Sequence, residues 1–336
     1  MKLSDLDDEI SFCRYTPDDH TGFVECINDF YCGGYPYDRY LTPEYLNRKT
    51  GDGSMIVTLA KTKDGRIVGT SAAQKLKGVF DGSILLMLRS VLTEYRGKGV
   101  ASKQEDYLLD QVKTYYGDSL SLYADVMTHN DISQKTLTRQ GFVLCGLRMM
   151  LYKSEIMVPK LNYPKGTKMS QAVYCKAINH KNISLFAPEE HKELIKSIYD
   201  KLGVPCSFSE YADIPDDLRR IGIYNISEKP KHSSAELYIE RPAEDFDMVF
   251  MPKIKEYLKN GSTCVAYINA KFYESLAVYK KLQKIGFYFT GIKPLSLNGE
   301  YIIMSQSDNC SVDHKSTVLY ENQFDLINYI FGGNNQ

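Results

Sequence analysis

The 336 residues contain no tryptophan and almost no net charge, with 41 basic side chains against 42 acidic. They also lack any apolar run near the ~20 residues that a membrane-spanning helix needs. The balance of charge is even along the chain: 20 basic and 21 acidic residues up to Lys160, then 21 of each. Neither half is basic enough to track a phosphate backbone by electrostatics alone, so a nucleic-acid partner is not expected. The opening residues carry Asp5, Asp7, Asp8 and Glu9, where a secretory signal would carry basic and then apolar ones. A cytoplasmic protein with no membrane partner is the expectation. Eight cysteines (Cys13, Cys26, Cys32, Cys145, Cys175, Cys206, Cys264 and Cys310) include no CxxC pair. No Cys/His spacing matches a zinc site, so they read as reduced packing thiols and no metal is expected.

What is present belongs to a globular protein: 43% apolar and 25% charged side chains, which excludes disordered, collagenous and coiled-coil classes. The length suits two domains, or one unusually large one. Ile10 to Tyr15 reads as a first strand, and Thr16-Pro17-Asp18-Asp19 has the chemistry of a turn and helix cap. Met55 to Lys61 and Arg66 to Ala73 are β-prone runs joined by Lys63-Asp64-Gly65, a hairpin signal. Ser83 to Val91 is almost continuously apolar, as a fully buried strand should be. Leu120 to Val126 alternates, with Leu120, Leu122, Ala124 and Val126 on one face and Ser121, Tyr123 and Asp125 on the other. A helix over Ile132 to Gln140 and a strand from Phe142 follow. The order is mixed α/β on a largely antiparallel sheet. Residues 1–50 hold 10 acidic and 5 basic side chains, a solvated face or, as a second reading, an attraction for a cationic amine.

The second half repeats the ending of the first. Asn130 to Phe142 runs from a strand through a helix to Gly-Phe, and Asn269 to Phe287 does the same. The two Gly-Phe pairs lie 145 residues apart (142 to 287), and internal duplication is the simplest account. Pro159 to Gly166, with two prolines and a glycine, suits a linker. The expected division is 1–158, a linker over 159–170, and 171–336, with the boundary near 165.

Between the buried strand and an amphipathic helix (Leu108, Leu109, Val112 and Tyr116 at helical spacing) lies Tyr95-Arg-Gly-Lys-Gly-Val-Ala101. Glycines there let the backbone turn tightly and aim several N–H groups at one point. The positive end of the following helix adds to the field, which makes a phosphate or pyrophosphate site. The competing reading is steric: glycine merely permits the turn. The loop is neither a Walker loop nor a full dinucleotide fingerprint.

Ser90 to Ala101 resembles the acetyl-CoA motif of the GNAT N-acetyltransferase superfamily, Arg/Gln-x-x-Gly-x-Gly/Ala. Arg96, Gly99 and Ala101 fill the pattern, and Val91 stands where a strand residue meets the pantetheine through its backbone. The superfamily's next motif is matched by Asn130, Ser133, Gly141 and Phe142. The resemblance covers residues 5–155 and implies a GNAT fold that holds acetyl-CoA through Val91, Leu92, Arg96, Gly97, Lys98, Gly99, Val100, Ala101, Asn130 and Ser133. Two-domain GNAT-like proteins look similar over Tyr31 to Leu46, Asp125 to His129, Pro188 to His191 and Gly286 to Pro294. That kinship implies tandem GNAT folds. The second half departs from the pattern: Arg241-Pro-Ala-Glu-Asp-Phe-Asp247 has no glycine and sets Glu244, Asp245 and Asp247 where phosphates would need donors. A structural role, or a wall of the acceptor pocket, is expected of it.

The implied activity is acetyl transfer to an amine of a small molecule or peptide by a monomer or homodimer. A backbone N–H near Val91 or Leu92 would polarise the thioester carbonyl. The buried strand carries no carboxylate between Ile84 and Val91, so Asp125 is the alternative general base, and His129 serves directly or through water. The competing readings pair Asp125 with a neighbouring cation and make His129 a helix cap. The superfamily's usual acid, a tyrosine four residues before the Gly of Gly-Phe, is replaced by Leu137, and by Leu282 in the second copy. Tyr123 is the nearest substitute, and Tyr35, Tyr37 and Tyr40 are expected around the acceptor. A second hypothesis, a non-catalytic acyl-CoA-binding or scaffold module, stays open.

Overall fold

A computed structural model describes residues 10–35, 37–129, 131–161, 163–179, 182–210, 220–306 and 324–331. Asn130 and Cys310, both singled out above, lie outside them, as do residues 1–9. The chain packs as two compact units: residues 1–76, 84–119 and 154–167 in the first, and 77–83, 120–153 and 168–336 in the second.

In the first unit, strands β1 (Ile10–Arg14), β2 (Met55–Thr62), β3 (Ile67–Lys75) and β4 (Ser83–Val91) lie side by side in that order, each antiparallel to the next. The β2–β3 hairpin closes at the expected Lys63-Asp64-Gly65, where Gly65 takes φ 86° and donates its N–H to Thr62 O. Helix α1 (His20–Tyr31) and helix α2 (Pro43–Gly51) bring Phe23, Cys26, Ile27 and Leu46 against Val57 and Leu59 on one face. Helix α3 (Val100–Tyr116) puts Val100 against Ala60, Val68 and Val91 on the other. With both faces covered, β2 is buried at successive positions from Met55 to Ala60, Thr58 being the one polar residue among them.

The second unit holds β5 (Ser121–Met127), α4 (Ile132–Arg139), β6 (Val143–Lys153) and β7 (Lys168–Ala177). It also holds β8 (Ile183–Leu185), α5 (Lys192–Leu202), β9 (Cys206–Phe208), β10 (Ile223–Lys229) and β11 (Ser234–Arg241). After these come α6 (Met251–Lys259), β12 (Thr263–Asn269), α7 (Ser275–Gln283), β13 (Tyr288–Ser296), β14 (Gly299–Gln306) and α8 (Phe324–Phe331). Its sheet runs β5-β7-β6-β13-β14-β12-β11-β10, antiparallel except for the β11–β12 pair. The boundary expected near residue 165 does not separate the units. Pro159 to Gly166 leads from β6 to β7, and β7 inserts between β5 and β6.

The repeated Gly-Phe endings correspond to a repeated connectivity. Strand, helix, strand and an inserted strand give the order β5-β7-β6 in one copy and β12-β14-β13 in the other. Each Gly-Phe pair ends its helix in the same way. Gly141 and Gly286 take φ 81° and 91°. Phe142 N–H then reaches back to Leu137 O at 3.0 Å, and Phe287 N–H to Leu282 O at 3.1 Å. This six-to-one closure requires the left-handed residue that glycine supplies most cheaply. The copies abut where β6 and β13 pair Gly146 with Gly291, positions one repeat interval apart. Contact between equivalent positions marks a local two-fold axis. Met150 and Leu295, also one interval apart, both adopt positive φ, 57° and 61°.

No described helix is long and apolar enough to cross a membrane. Burial lowers the pKa of His129, His191 and His232 to about 4 each. An unfolded histidine titrates near 6.5, so the unfolded chain binds protons that the folded chain refuses. Stability from these residues is complete above pH 6.5 and is lost as pH falls toward 4. The urea midpoint should therefore drop between pH 7 and pH 5, with proton uptake on unfolding rising toward about three. A second expectation concerns the two-fold contact. A Cβ on Gly291 would sit against Gly146 Cα and Cys145 O, at a φ of 128° that side chains rarely adopt. Gly291→Ala should cost about 2–4 kcal/mol in chemical denaturation.

Candidate functional site

The Arg96–Ala101 loop connects β4 to α3. A single turn over Thr93–Tyr95 precedes it; Gly97 takes φ 73°, and Gly99 caps α3 at φ 83°. Two left-handed residues around Lys98 need glycine, so the steric reading of the loop holds, but it does not exhaust the geometry. Lys103 N–H is the first of the helix to bond, to Gly99 O at 3.2 Å. The N–H groups ahead of it have no carbonyl one turn back to take. They open onto an exposed loop with the positive end of a 17-residue helix behind them.

Arg96 braces this loop from beneath. Its Nε donates to Val91 O at 2.9 Å and its Nη2 reaches Asp29 Oδ2 at 3.2 Å. The same Asp29 oxygen accepts the Thr93 N–H and hydroxyl at 3.0 and 2.7 Å. Burial alone would raise the Asp29 pKa; the Thr93 hydrogen bonds and Arg96 outweigh it and hold the carboxyl below its ordinary value. Lys98 leans over the Tyr95 ring at 5.0 Å. Asp18, Glu25 and Asp29 from the acid-rich opening segment edge a cleft of about 570 Å³ that reaches Leu92 at the start of the loop.

The two expected backbone contacts part company. Leu92 N–H is spent on Val68 O at 3.0 Å. Val91 sits opposite Gly69, and because successive N–H groups along a strand point to opposite edges, the Val91 N–H faces away from β3. Below it, β4 carries a bulge that the apolar run gave no sign of: Leu88 and Arg89 together oppose Ser71, and Leu88 is held at φ 55°. Thr70 donates its hydroxyl to Leu88 O at 2.7 Å, and Tyr35 hydrogen-bonds to the Leu88 backbone.

Tyr35 and Tyr40 are buried and Tyr37 is half-buried. With Tyr31 and Tyr45 they form an edge-to-face row with centroids 5.0 to 6.4 Å apart. Tyr40 donates to Gln74 Oε1 at 2.9 Å. The expected acceptor residues thus also support the bulge and the core beneath it.

In the second unit, Asp125 is paired. Arg148 Nη1 reaches its Oδ2 at 2.8 Å and Gln171 Oε1 at 2.7 Å, while Nη2 bonds Glu236, which also takes Lys229. Burial would raise the Glu236 pKa, but Arg148 and Lys229 outweigh it and hold the carboxyl at about 2. Lys293, one repeat interval beyond Arg148, sits 4.0 Å from Asp125 Oδ2 and lies over the Phe80 and Tyr123 rings. Pairing with a cation was the competing reading of Asp125. Tyr123, the expected acid, is fully buried, and burial pushes its pKa well up. His129 lies in the turn after β5, beside Thr128, whose N–H and hydroxyl both donate to Ser170 O; its depressed pKa keeps the imidazole neutral. Ser133 is half-buried in the first turn of α4. Leu137, at the position of the superfamily's tyrosine, is a buried helix-end residue whose carbonyl closes the Gly-Phe turn.

The second copy carries its own strand pair at this place. β11 and β12 run parallel and stay in register over six pairs, from Ser234–Thr263 to Ile239–Ile268. Asp245 accepts the Tyr224 hydroxyl at 2.6 Å and the Gly222 N–H at 3.1 Å, and Asp247 pairs with Lys281 at 2.8 Å. Only Glu244 of the three points to solvent without such a bond.

Residues 18–142 match the family model described as Acetyltransferase (GNAT) family. This stretch is a GNAT acetyltransferase domain, from a superfamily of acyl-CoA-dependent N-acetyltransferases. Solved structures similar to the chain include an N-acetyltransferase from Staphylococcus aureus Mu50, 16% identical over 51% of this chain and 99% of that one, with a TM-score of 0.42. The ribosomal-protein-S5-alanine acetyltransferase from Vibrio fischeri is 16% identical over 51% and 93%, at 0.40. A GNAT-family acetyltransferase from Streptococcus pneumoniae is 17% identical over 51% and 100%, at 0.42. The search of curated proteins returned no match.

The Arg148 network makes a measurable claim. Arg148→Met would leave Asp125 and Glu236 facing each other without their shared cation, at an expected cost of about 3–5 kcal/mol in urea unfolding. Asp125→Asn, which keeps a hydrogen-bond acceptor for Arg148, should cost distinctly less.

Proposed function

We propose that the first GNAT stretch binds acetyl-CoA at the Arg96–Ala101 loop and transfers the acetyl group to an amine of a small molecule or peptide. The observation that carries this reading is the run of N–H groups before Lys103, framed by left-handed Gly97 and Gly99. These donors suit a pyrophosphate without any basic surface. Val91 N–H, which faces away from β3, is the backbone donor assigned to the acyl carrier, and Arg96 and Asp29 hold the loop in shape. Asn130 and Ser133 remain assigned to the cofactor by resemblance. When bound, acetyl-CoA supplies an activated thioester.

Among the chain's own groups, His129 is neutral at pH 7 and is the base assigned to the reaction, directly or through a water, although its low pKa makes it a weak one. Asp125 would have to act from within an ion pair. The second copy is read as a degenerate GNAT-like domain without a cofactor site. Its β11–β12 pair is hydrogen-bonded where the superfamily inserts pantetheine, and its loop carries Glu244, Asp245 and Asp247 in place of glycine. The paired Asp125 and enclosed Tyr123 favour a second reading, a module that binds acyl-CoA without turnover. Release of free CoA thiol from acetyl-CoA and an amine panel separates the two.

Gly99→Glu should weaken acetyl-CoA binding about a hundredfold or more in calorimetry, since a carboxylate would face the phosphates. Glu244→Gln should leave that affinity unchanged. Undiminished binding by the Gly99 variant would remove the loop from the site.

A further inference from the structure

Arg89 is the second residue of the β4 bulge and precedes Val91 by two residues, so both side chains leave the same face of the strand. That face is covered by α3: Val91 packs on Val100, and Arg89 Nη1 stands 3.5 Å from Glu105 Oε2. Glu105 is 1% exposed and accepts the Ser71 hydroxyl at 3.3 Å. The Arg89 side chain keeps 20% of its surface. Its one ion contact is at 3.5 Å, and it makes no hydrogen bond among the described residues. A guanidinium offers five N–H donors in a planar fork that fits a carboxylate bidentately. Neutralising Glu105 uses little of that capacity.

Paired with Glu105, Arg89 adds little net charge beside Val91, so what it offers is its remaining N–H donors. A reactant gains from those donors when it carries an anion of its own. We infer that Arg89 receives a carboxylate borne by one of the two reactants, close to the reacting carbonyl. This rests on the acetyltransferase reading above. Two sources share the chemistry. One is an acceptor with a carboxylate beside its amine, such as an α-amino acid. The other is an acyl donor that ends in a carboxylate, such as succinyl-CoA.

The test uses the full chain and two matched pairs of probes. Calorimetry compares acetyl-CoA with succinyl-CoA, and CoA-thiol release with acetyl-CoA compares the amino acids with their C-terminal amides. The carboxylate-bearing member of one pair should be preferred about tenfold or more. Arg89→Gln should erase that preference while leaving the neutral member within about threefold, and Arg89→Lys should restore only part of it. Because Arg89→Gln strands a buried Glu105, the Arg89→Gln/Glu105→Gln double variant is run beside it and should behave alike. A preference for donor points to the acyl chain and a preference for acceptor to the amine. Binding or turnover with no carboxylate preference overturns the inference and spares the acetyltransferase reading. An equal loss on both members of each pair makes Arg89 structural and overturns it too. If no CoA ester binds at all, the acetyltransferase reading fails and the inference falls with it.

Discussion

A single guanidinium, that of Arg148, sets much of what the second unit can do. It is about 6% exposed and bonds Asp125, Gln171 and Glu236 at once, tying β5, β6, β7 and β11 to one point. It is the cation these two carboxylates share, with Lys229 on Glu236 and Lys293 4.0 Å from Asp125 as further partners. The network accordingly fixes the register of strands far apart in sequence. It also commits Asp125, the one carboxylate of the β5 strand, to an ion pair. A residue with the right chemistry for proton transfer is thereby turned toward cohesion.

The first unit is built differently around its loop, where backbone N–H groups stand at the start of a helix. Glycine at 97 and 99 frees the backbone, Arg96 and Asp29 brace it, and helix α3 supplies the field. None of this requires surplus basic residues, so the near-neutral charge of the chain is compatible with the anion site proposed for the loop. The bulge at Leu88–Arg89 belongs with the loop. It stores one left-handed residue in the middle of a buried strand, held by Thr70 and Tyr35. Strain of that kind persists only where neighbours over-determine it.

The elements themselves were legible from short-range pattern. Ser83 to Val91 is a strand over the same residues, the Lys63–Gly65 hairpin closes as its residues suggest, and each Gly-Phe pair is a helix end. Glycine and hydrophobic period act locally, and a reader of sequence sees them. Partners distant in the chain are another matter. Nothing around Asp125 announces Arg148, and less still Glu236. The prolines of 159–166 resemble those of an inter-domain linker, yet they serve a turn between adjacent strands, because β7 returns to a slot that only the sheet order reveals. The Leu88 bulge left no trace either, since leucine is a natural residue for a buried strand.

The two copies of the strand–helix–strand motif show how one connectivity supports different ends. Both keep the Gly-Phe closure, and both place a cation on the strand that follows, Arg148 in one and Lys293 in the other. Across their contact, Gly146 and Gly291 meet without side chains because anything larger would force β6 and β13 apart. The close approach lets Arg148 and Lys293 share the neighbourhood of Asp125. The second copy adds contacts of its own. β11 and β12 hydrogen-bond along their length, and Asp245 and Asp247 find phenol and lysine partners. Each such bond stabilises the second copy and engages a polar group within it. On the reading proposed for this copy, the cohesion of β11 and β12 and the lack of a cofactor site would have one cause, written in the same residues.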